Sequence, residues 1–133
     1  MTEVSSASDI GCVRTSNEDS FGIFGDVYVV ADGLGGHAAG EVASAMLVDV
    51  FSEMFSDAVH ECGEEALLHA VQAANSKILR AAAASEARKG MGTTVVALQY
   101  RDNAAYWAHV GDSRLYLLRK GALRRLTRDH SFV

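Results

Sequence analysis

Proline is absent from the 133 residues, and the sequence offers no physical reason for it. Cysteine is scarce. Cys12 and Cys62 are not spaced as a metal-binding pair, and they read as reduced thiols of a cytosolic protein. No apolar run approaches the roughly 18 residues a membrane-spanning helix needs. Residues 1–6 carry neither a basic region nor an apolar core, so no signal peptide is visible. Basic charge is also short. Twelve Lys and Arg against 17 Asp and Glu leave a net charge of −5, which speaks against non-specific nucleic-acid binding and against an anionic membrane surface. No linker or repeat divides the chain, and its length suits one domain.

What is present is organised around residues 27–41, V-Y-V-V-A-D-G-L-G-G-H-A-A-G-E. Four apolar residues lead through Ala31 to Asp32, a glycine-rich turn follows, and a helical pattern begins. One carboxylate is thereby set at the mouth of a buried strand with bare backbone beside it, a rigid place to fix a site. Upstream, residues 21–24 read as a strand, and Gly25-Asp26 as a tight hairpin turn into residues 27–31. The two strands should be antiparallel neighbours, which brings Glu18 and Asp19 towards Asp32. Residues 3–10 read as a further short strand with weak alternation.

Residues 38–59 predict a helix, with Val42, Met46, Val50, Met54 and Ala58 at i+4 steps and Leu47, Phe51 and Phe55 beside them. A second helix starts at Glu64-Glu65, where negative charge suits the dipole. Its face is Leu67, Ala70, Val71, Ala74, Ile78 and Ala82, and Lys89-Gly90 end it. Two helices with no strand between them make an αα-hairpin. From Gly92 the period changes to two. Strands are expected over residues 93–100, 104–110, 114–118 and 123–126, with turns at Asp102-Asn103 and Lys120-Gly121, as one antiparallel meander. Strands, two helices, then strands define an α+β fold with the helices on one face of an antiparallel sheet.

Several residues at strand ends have chemistry to offer. Asp32 and the backbone carbonyl of Gly33 are the oxygen donors hard cations take, so Mg²⁺ or Mn²⁺ fits, and no Cys/His grouping suggests zinc. Glu18 and Asp19 either serve the same ions or are merely solvated. Arg14 is a surface arginine or a planar fork for phosphate. Asp112, in Gly111-Asp112-Ser113-Arg114, is another carboxylate at a strand end. His37 is a loop histidine or a general acid near neutral pH. His60, His69, His109 and His130 have no partners at metal spacing and read as structural or exposed. Ser16, Ser20 and Ser113 show no nucleophile logic. Gly33, Gly35 and Ala38 also fit a dinucleotide-binding turn. Against that, Asp32 would face a pyrophosphate, and no strand follows the first helix to complete a βαβ unit.

Four stretches taken in order are more specific than any of these alone: Val13-Arg14-x-x-Asn17-Glu18-Asp19, then residues 31–41, then Gly90-Met91-Gly92-Thr93-Thr94, then His109-Val110-Gly111-Asp112-Ser113-Arg114. By them the chain resembles the PPM (type 2C) metal-dependent protein serine/threonine phosphatases, bacterial branch. The resemblance implies a four-layer α-β-β-α sandwich, of which residues 1–133 would be the N-terminal portion of a single domain. It implies that Asp32 bridges two Mn²⁺ or Mg²⁺ ions and that Gly33 lends its carbonyl. Glu18 would act through water with Asp19 in support, Arg14 would hold the phosphate, His37 would be the acid, and Asp112 would touch a third, weaker ion. The family's two further metal-binding aspartates lie beyond the matching stretches. The expectation is therefore weak metal binding and poor phosphate-ester hydrolysis by these 133 residues, with bare apolar sheet surface driving self-association. The implied partner is a phosphoprotein made by a serine/threonine kinase; the alternative is a catalytically silent phosphatase-like binding module.

Overall fold

The computed structural model describes residues 2–36, 38–57 and 60–131. Strand β1 (Asp19–Phe24) turns at Gly25-Asp26 into β2 (Val27–Leu34). Helices α1 (Ala39–Phe55) and α2 (Glu64–Ala83) follow, then a 3₁₀ turn (Glu86–Arg88). Next come β3 (Gly92–Thr93), β4 (Val95–Arg101), β5 (Ala104–Val110), β6 (Tyr116–Arg119) and β7 (Ala122–Arg125). The antiparallel sheet runs β1-β2-β4-β5, and β3 pairs with the end of β2.

Alternation along the strands decides which side is core. Val27, Val29 and Ala31 of β2, with Val95 and Ala97 of β4, point to the helices and are buried. Against them pack Leu47, Val50, Phe51 and Phe55 of α1 and Leu67, Ala70, Ala74 and Ile78 of α2. The opposite face carries the alternate residues. Phe21 pairs with Val30, and Tyr28 with Leu98, which pairs with Trp107. Phe21, Ile23, Val30, Tyr100 and Trp107 are all exposed on this outer face.

The α+β architecture with an αα-hairpin on one face is as expected, and four details differ. Residues 3–10 form no strand; instead residues 4–9 border a cleft of about 440 Å³ on the outer face of β1 and β2. Their alternation is too weak to commit them to a sheet edge. Helix α1 stops at Phe55, and Ala58 and Val59 lie outside the described residues. Its buried face is Ala39, Gly40, Ala43, Ser44, Leu47, Val50, Phe51 and Phe55, with Val42, Met46 and Met54 only half-buried. The small residues let the helix lie close on the sheet, which rotates the buried stripe. Helix α2 ends at Ala83 rather than Lys89, because Ser85 is extended. Last, the meander is broken: β6 and β7 form a separate two-stranded sheet. This hairpin and residues 2–5 flank a groove of about 870 Å³ over the outer face, floored by Tyr28, Leu98, Tyr100 and Trp107.

The end of the sheet at the β1–β2 turn is closed by a polar cluster. Asp26 takes hydrogen bonds from Arg101 Nε (2.5 Å) and Gln99 Nε2 (3.3 Å), and His60 Nε2 lies 3.5 Å away. Fully buried Gln99 also accepts from Gly63 N–H at 2.8 Å, which ties the start of α2 to β4. Burial pushes the Asp26 carboxyl up, but the bonds from Arg101 and Gln99 and the charges of Arg101 and His60 outweigh it and hold the group below the usual carboxylate range. A depressed folded-state value gives stability that is present above the unfolded value of about 3.9 and is lost as pH falls through the folded one. Asp26→Asn is therefore expected to lower the melting temperature by several degrees at pH 7. The gap to the parent should narrow as pH falls below the ordinary carboxylate range and the Asp26 carboxyl takes up its proton. A gap that stays constant down to pH 2 would refute the assignment.

Candidate metal centre

The opposite end of the sheet gathers the acidic residues. In the β1–β2 register Asp19 lies directly across from Asp32, both on the outer face. The two-residue turn at Gly25-Asp26 fixes this register, so the expected approach of the two carboxylates is met. Asp19 is exposed and Asp32 half-buried, at the rim of the apolar face and not inside the core. Burial raises the Asp32 carboxyl above the ordinary range; the charge and hydrogen bond of Asp19 raise it further, Arg14 opposes, and Asp112 adds to the rise. Arg14, Asp19 and Asp112 are thus the charged groups that act on Asp32, and of them Asp19 is in hydrogen-bond contact with it.

Glu18 is held by its backbone. Its carbonyl accepts from Gly33 N–H at 3.1 Å and from Ser44 Oγ at 2.7 Å. Its side chain lies against Gly40 in the first turn of α1. Gly33 and Gly40 touch backbone to backbone, and that contact seats α1 on the end of β2. On the other flank Thr94 N–H donates to the Asp32 carbonyl at 2.9 Å, and Asp32 N–H donates to Thr94 Oγ1 at 3.0 Å. Thr94 Oγ1 and Ser113 Oγ are 2.6 Å apart, and Ser113 follows Asp112.

Asp19, Asp32 and Gly33 therefore meet at one strand end, the Glu18 carbonyl is tied to Gly33, and the charges of Arg14 and Asp112 reach Asp32. His37 lies outside the described residues. Among the described residues, no three His, Cys, Asp or Glu side chains are grouped closely enough to hold a metal ion on their own. The donor chemistry suits a hard cation; the number of side-chain donors does not complete a site. The other histidines are structural or exposed as expected: His60 packs edge-on against Phe55, and His109 stacks on His130 at 4.6 Å. The supporting contacts of Ser44, Thr94 and Ser113 went unread in the sequence. The only sign was that Thr94 and Ser113 stand inside the third and fourth motif stretches.

An antiparallel sheet backed by a helix pair, with acids at one end of its outer face, is the frame of a phosphatase family. The family description "Protein phosphatase 2C" matches residues 14–132, and the chain belongs to that family. It is 42% identical over 129 residues to the serine/threonine protein phosphatase PstP of Mycobacterium tuberculosis, covering 95% of this chain and 24% of that protein. To the serine/threonine phosphatase Stp of Listeria welshimeri it is 40% identical over 135 residues, covering 95% of this chain and 54% of that protein. Among solved structures, the catalytic domain of PstP in complex with two manganese ions superposes with a TM-score of 0.88 at 40% identity, covering 95% of this chain and 55% of that one. The chain thus spans about a quarter to about half the length of these relatives.

Proposed function

We propose that this chain is the N-terminal portion of a PPM-type domain that removes phosphate from phosphoserine and phosphothreonine in proteins. The observation that carries the reading is the cross-strand pair Asp19–Asp32 with Arg14 acting on it, at the edge of an uncovered sheet face. Two carboxylates side by side are a poor arrangement by themselves and a good one around a divalent cation. The manganese-bound relative supports Mn²⁺, with Mg²⁺ as the other hard cation that suits the donors.

Asp32 and the Gly33 carbonyl would hold the ions, with Glu18 and Asp19 in support and Asp112 at a third position. Bound there, such ions would activate water for attack on phosphorus and neutralise charge on the phosphoryl oxygens. Arg14 would grip and orient the phosphate through its planar fork. The exposed outer face would be covered by a second sheet begun by β6 and β7, and further carboxylates from that part would complete the ligand set. Alone, the bare face would favour self-association. Two exposed, unpaired cysteines support a reducing, cytoplasmic setting. Among the described residues no helix is long and apolar enough to cross a membrane.

The test compares the 133-residue chain with a hybrid that joins it to the remaining half of the Listeria phosphatase. With Mn²⁺, the hybrid is expected to release phosphate from a phosphothreonine peptide and to stop when EDTA is added, while the chain alone stays near background. Strong turnover by the chain alone would overturn the partial-site reading. A folded hybrid that binds Mn²⁺ yet releases no phosphate would leave the silent binding module as the better account.

A further inference from the structure

Three chain segments far apart in sequence meet at one buried hydroxyl. Thr94 is 8% exposed. It reaches back 62 residues to the Asp32 backbone and forward 19 residues to Ser113. The Thr94–Asp32 contact is two-sided, with one bond from each backbone N–H. Having accepted the Asp32 N–H, the Thr94 hydroxyl still has one proton and one lone pair, and the 2.6 Å contact with Ser113 Oγ uses one of them. At that length it is a short hydroxyl–hydroxyl bond. Buried polar contacts of this kind are costly to break, because little water is at hand to replace them.

The turn that carries Asp112 is pressed onto the same threonine. Gly111 has φ 103°, and a Cβ added there would lie 2.7 Å from Thr94 Cγ2. On its far side the turn is held by His130, whose N–H donates to the Gly111 carbonyl at 2.9 Å and whose Nδ1 accepts from Gly111 N–H at 3.2 Å. Of these two anchors, only the Thr94 one leads to Asp32.

We infer that Thr94 and Ser113 are positioning residues, whose hydroxyl-to-hydroxyl bond fixes the Asp112 turn relative to Asp32 and so sets the carboxylate spacing offered to a divalent cation. The inference rests on the phosphatase reading for the identity of that cation. Neither hydroxyl is assigned to touch the metal or the phosphate. Both act through the acids beside them, as groups that orient the ligands of a metal do.

The experiment uses the 133-residue chain and Mn²⁺ alone. Binding is read from the paramagnetic broadening of backbone amide signals, which reports weak association directly. In the parent, the Asp19, Asp32 and Asp112 signals should broaden with one common midpoint. Thr94→Val keeps the volume and removes the hydroxyl, and Ser113→Ala removes its partner. Each is expected to raise the Mn²⁺ midpoint about 10-fold. The double variant should be little worse than either single one, because both changes remove the same bond. Thr94→Ser, which keeps the hydroxyl, should stay within about twofold of the parent. In metal-free samples the Asp32 amide should exchange with solvent faster in Thr94→Val and at the parental rate in Thr94→Ser. Parental midpoints in Thr94→Val, or effects of the two single variants that multiply in the double one, would overturn the inference. If the parent itself shows no broadening at Asp32, the 133 residues hold no cation on their own and this inference falls, while the phosphatase reading still stands or falls with the hybrid. That outcome is told apart because it precedes any substitution.

Discussion

Gly33→Ala is expected to be among the most damaging single-methyl changes in the chain, costing about 3 kcal/mol or more. The reason is steric and not conformational, because Gly33 is not among the residues with positive φ. A Cβ built on Gly33 would overlap the backbone carbonyl of Gly40 and come within 2.9 Å of the Glu18 carbonyl oxygen. None of these atoms belongs to a flexible side chain that could swing away. The methyl would have to lift α1 from the end of β2, and Gly33 N–H would lose its bond to Glu18. Gly36→Ala is the matched control. No atom lies within 4 Å of its added Cβ, so a change within about 0.5 kcal/mol is expected. Urea unfolding of both variants decides the point. Equal midpoints for Gly33→Ala and the parent would show that the α1–β2 contact is looser than described.

Asp32→Asn should do the reverse: leave the fold intact and remove function. In the active hybrid it is expected to lower Mn²⁺-dependent phosphate release by about 10³-fold or more, since it deletes the carboxylate proposed to hold both ions. Its stability should hold or rise. The native carboxyl is penalised by burial and by Asp19 across the strand, and Arg14 only opposes this. An amide of the same shape carries no charge to penalise. A gain in melting temperature together with a loss of activity is the pattern of a residue kept for function at some expense of stability. Near-parental turnover by Asp32→Asn would remove this carboxylate from the centre of the mechanism. A large loss of stability would mean that its role is structural.

Much of the candidate site was legible because it depends on local geometry. A two-residue turn between apolar runs imposes an antiparallel pair, and counting back from Gly25-Asp26 sets Asp19 opposite Asp32. The helices were legible from their periodicity, less so their orientation. In the i+4 row Val42, Met46 and Met54 are half-buried and Val50 is buried, while Gly40, Ala43 and Ser44 outside the row are buried as well. Hydrophobic pattern marks the face that avoids water. It does not say that the smallest residues make the closest approach. The strand expected at residues 3–10 failed for a related reason: an extended segment becomes a strand only where an edge accepts it, and the partner is not encoded nearby.

By itself, then, the amino-acid order determined the α+β class, the strand–turn–strand that pairs two acids, and the family to which the motifs point. The tertiary structure alone decided how that strand end is held: the Gly33–Gly40 contact, Ser44 beneath Glu18, the Thr94 bridge to Ser113, and Asp26 clamped by Arg101. The first kind of information is carried by steric preferences that repeat every two or 3.6 residues and act between near neighbours. The second joins residues 7 to 75 positions apart, and such pairings exist only once the chain has collapsed around its core.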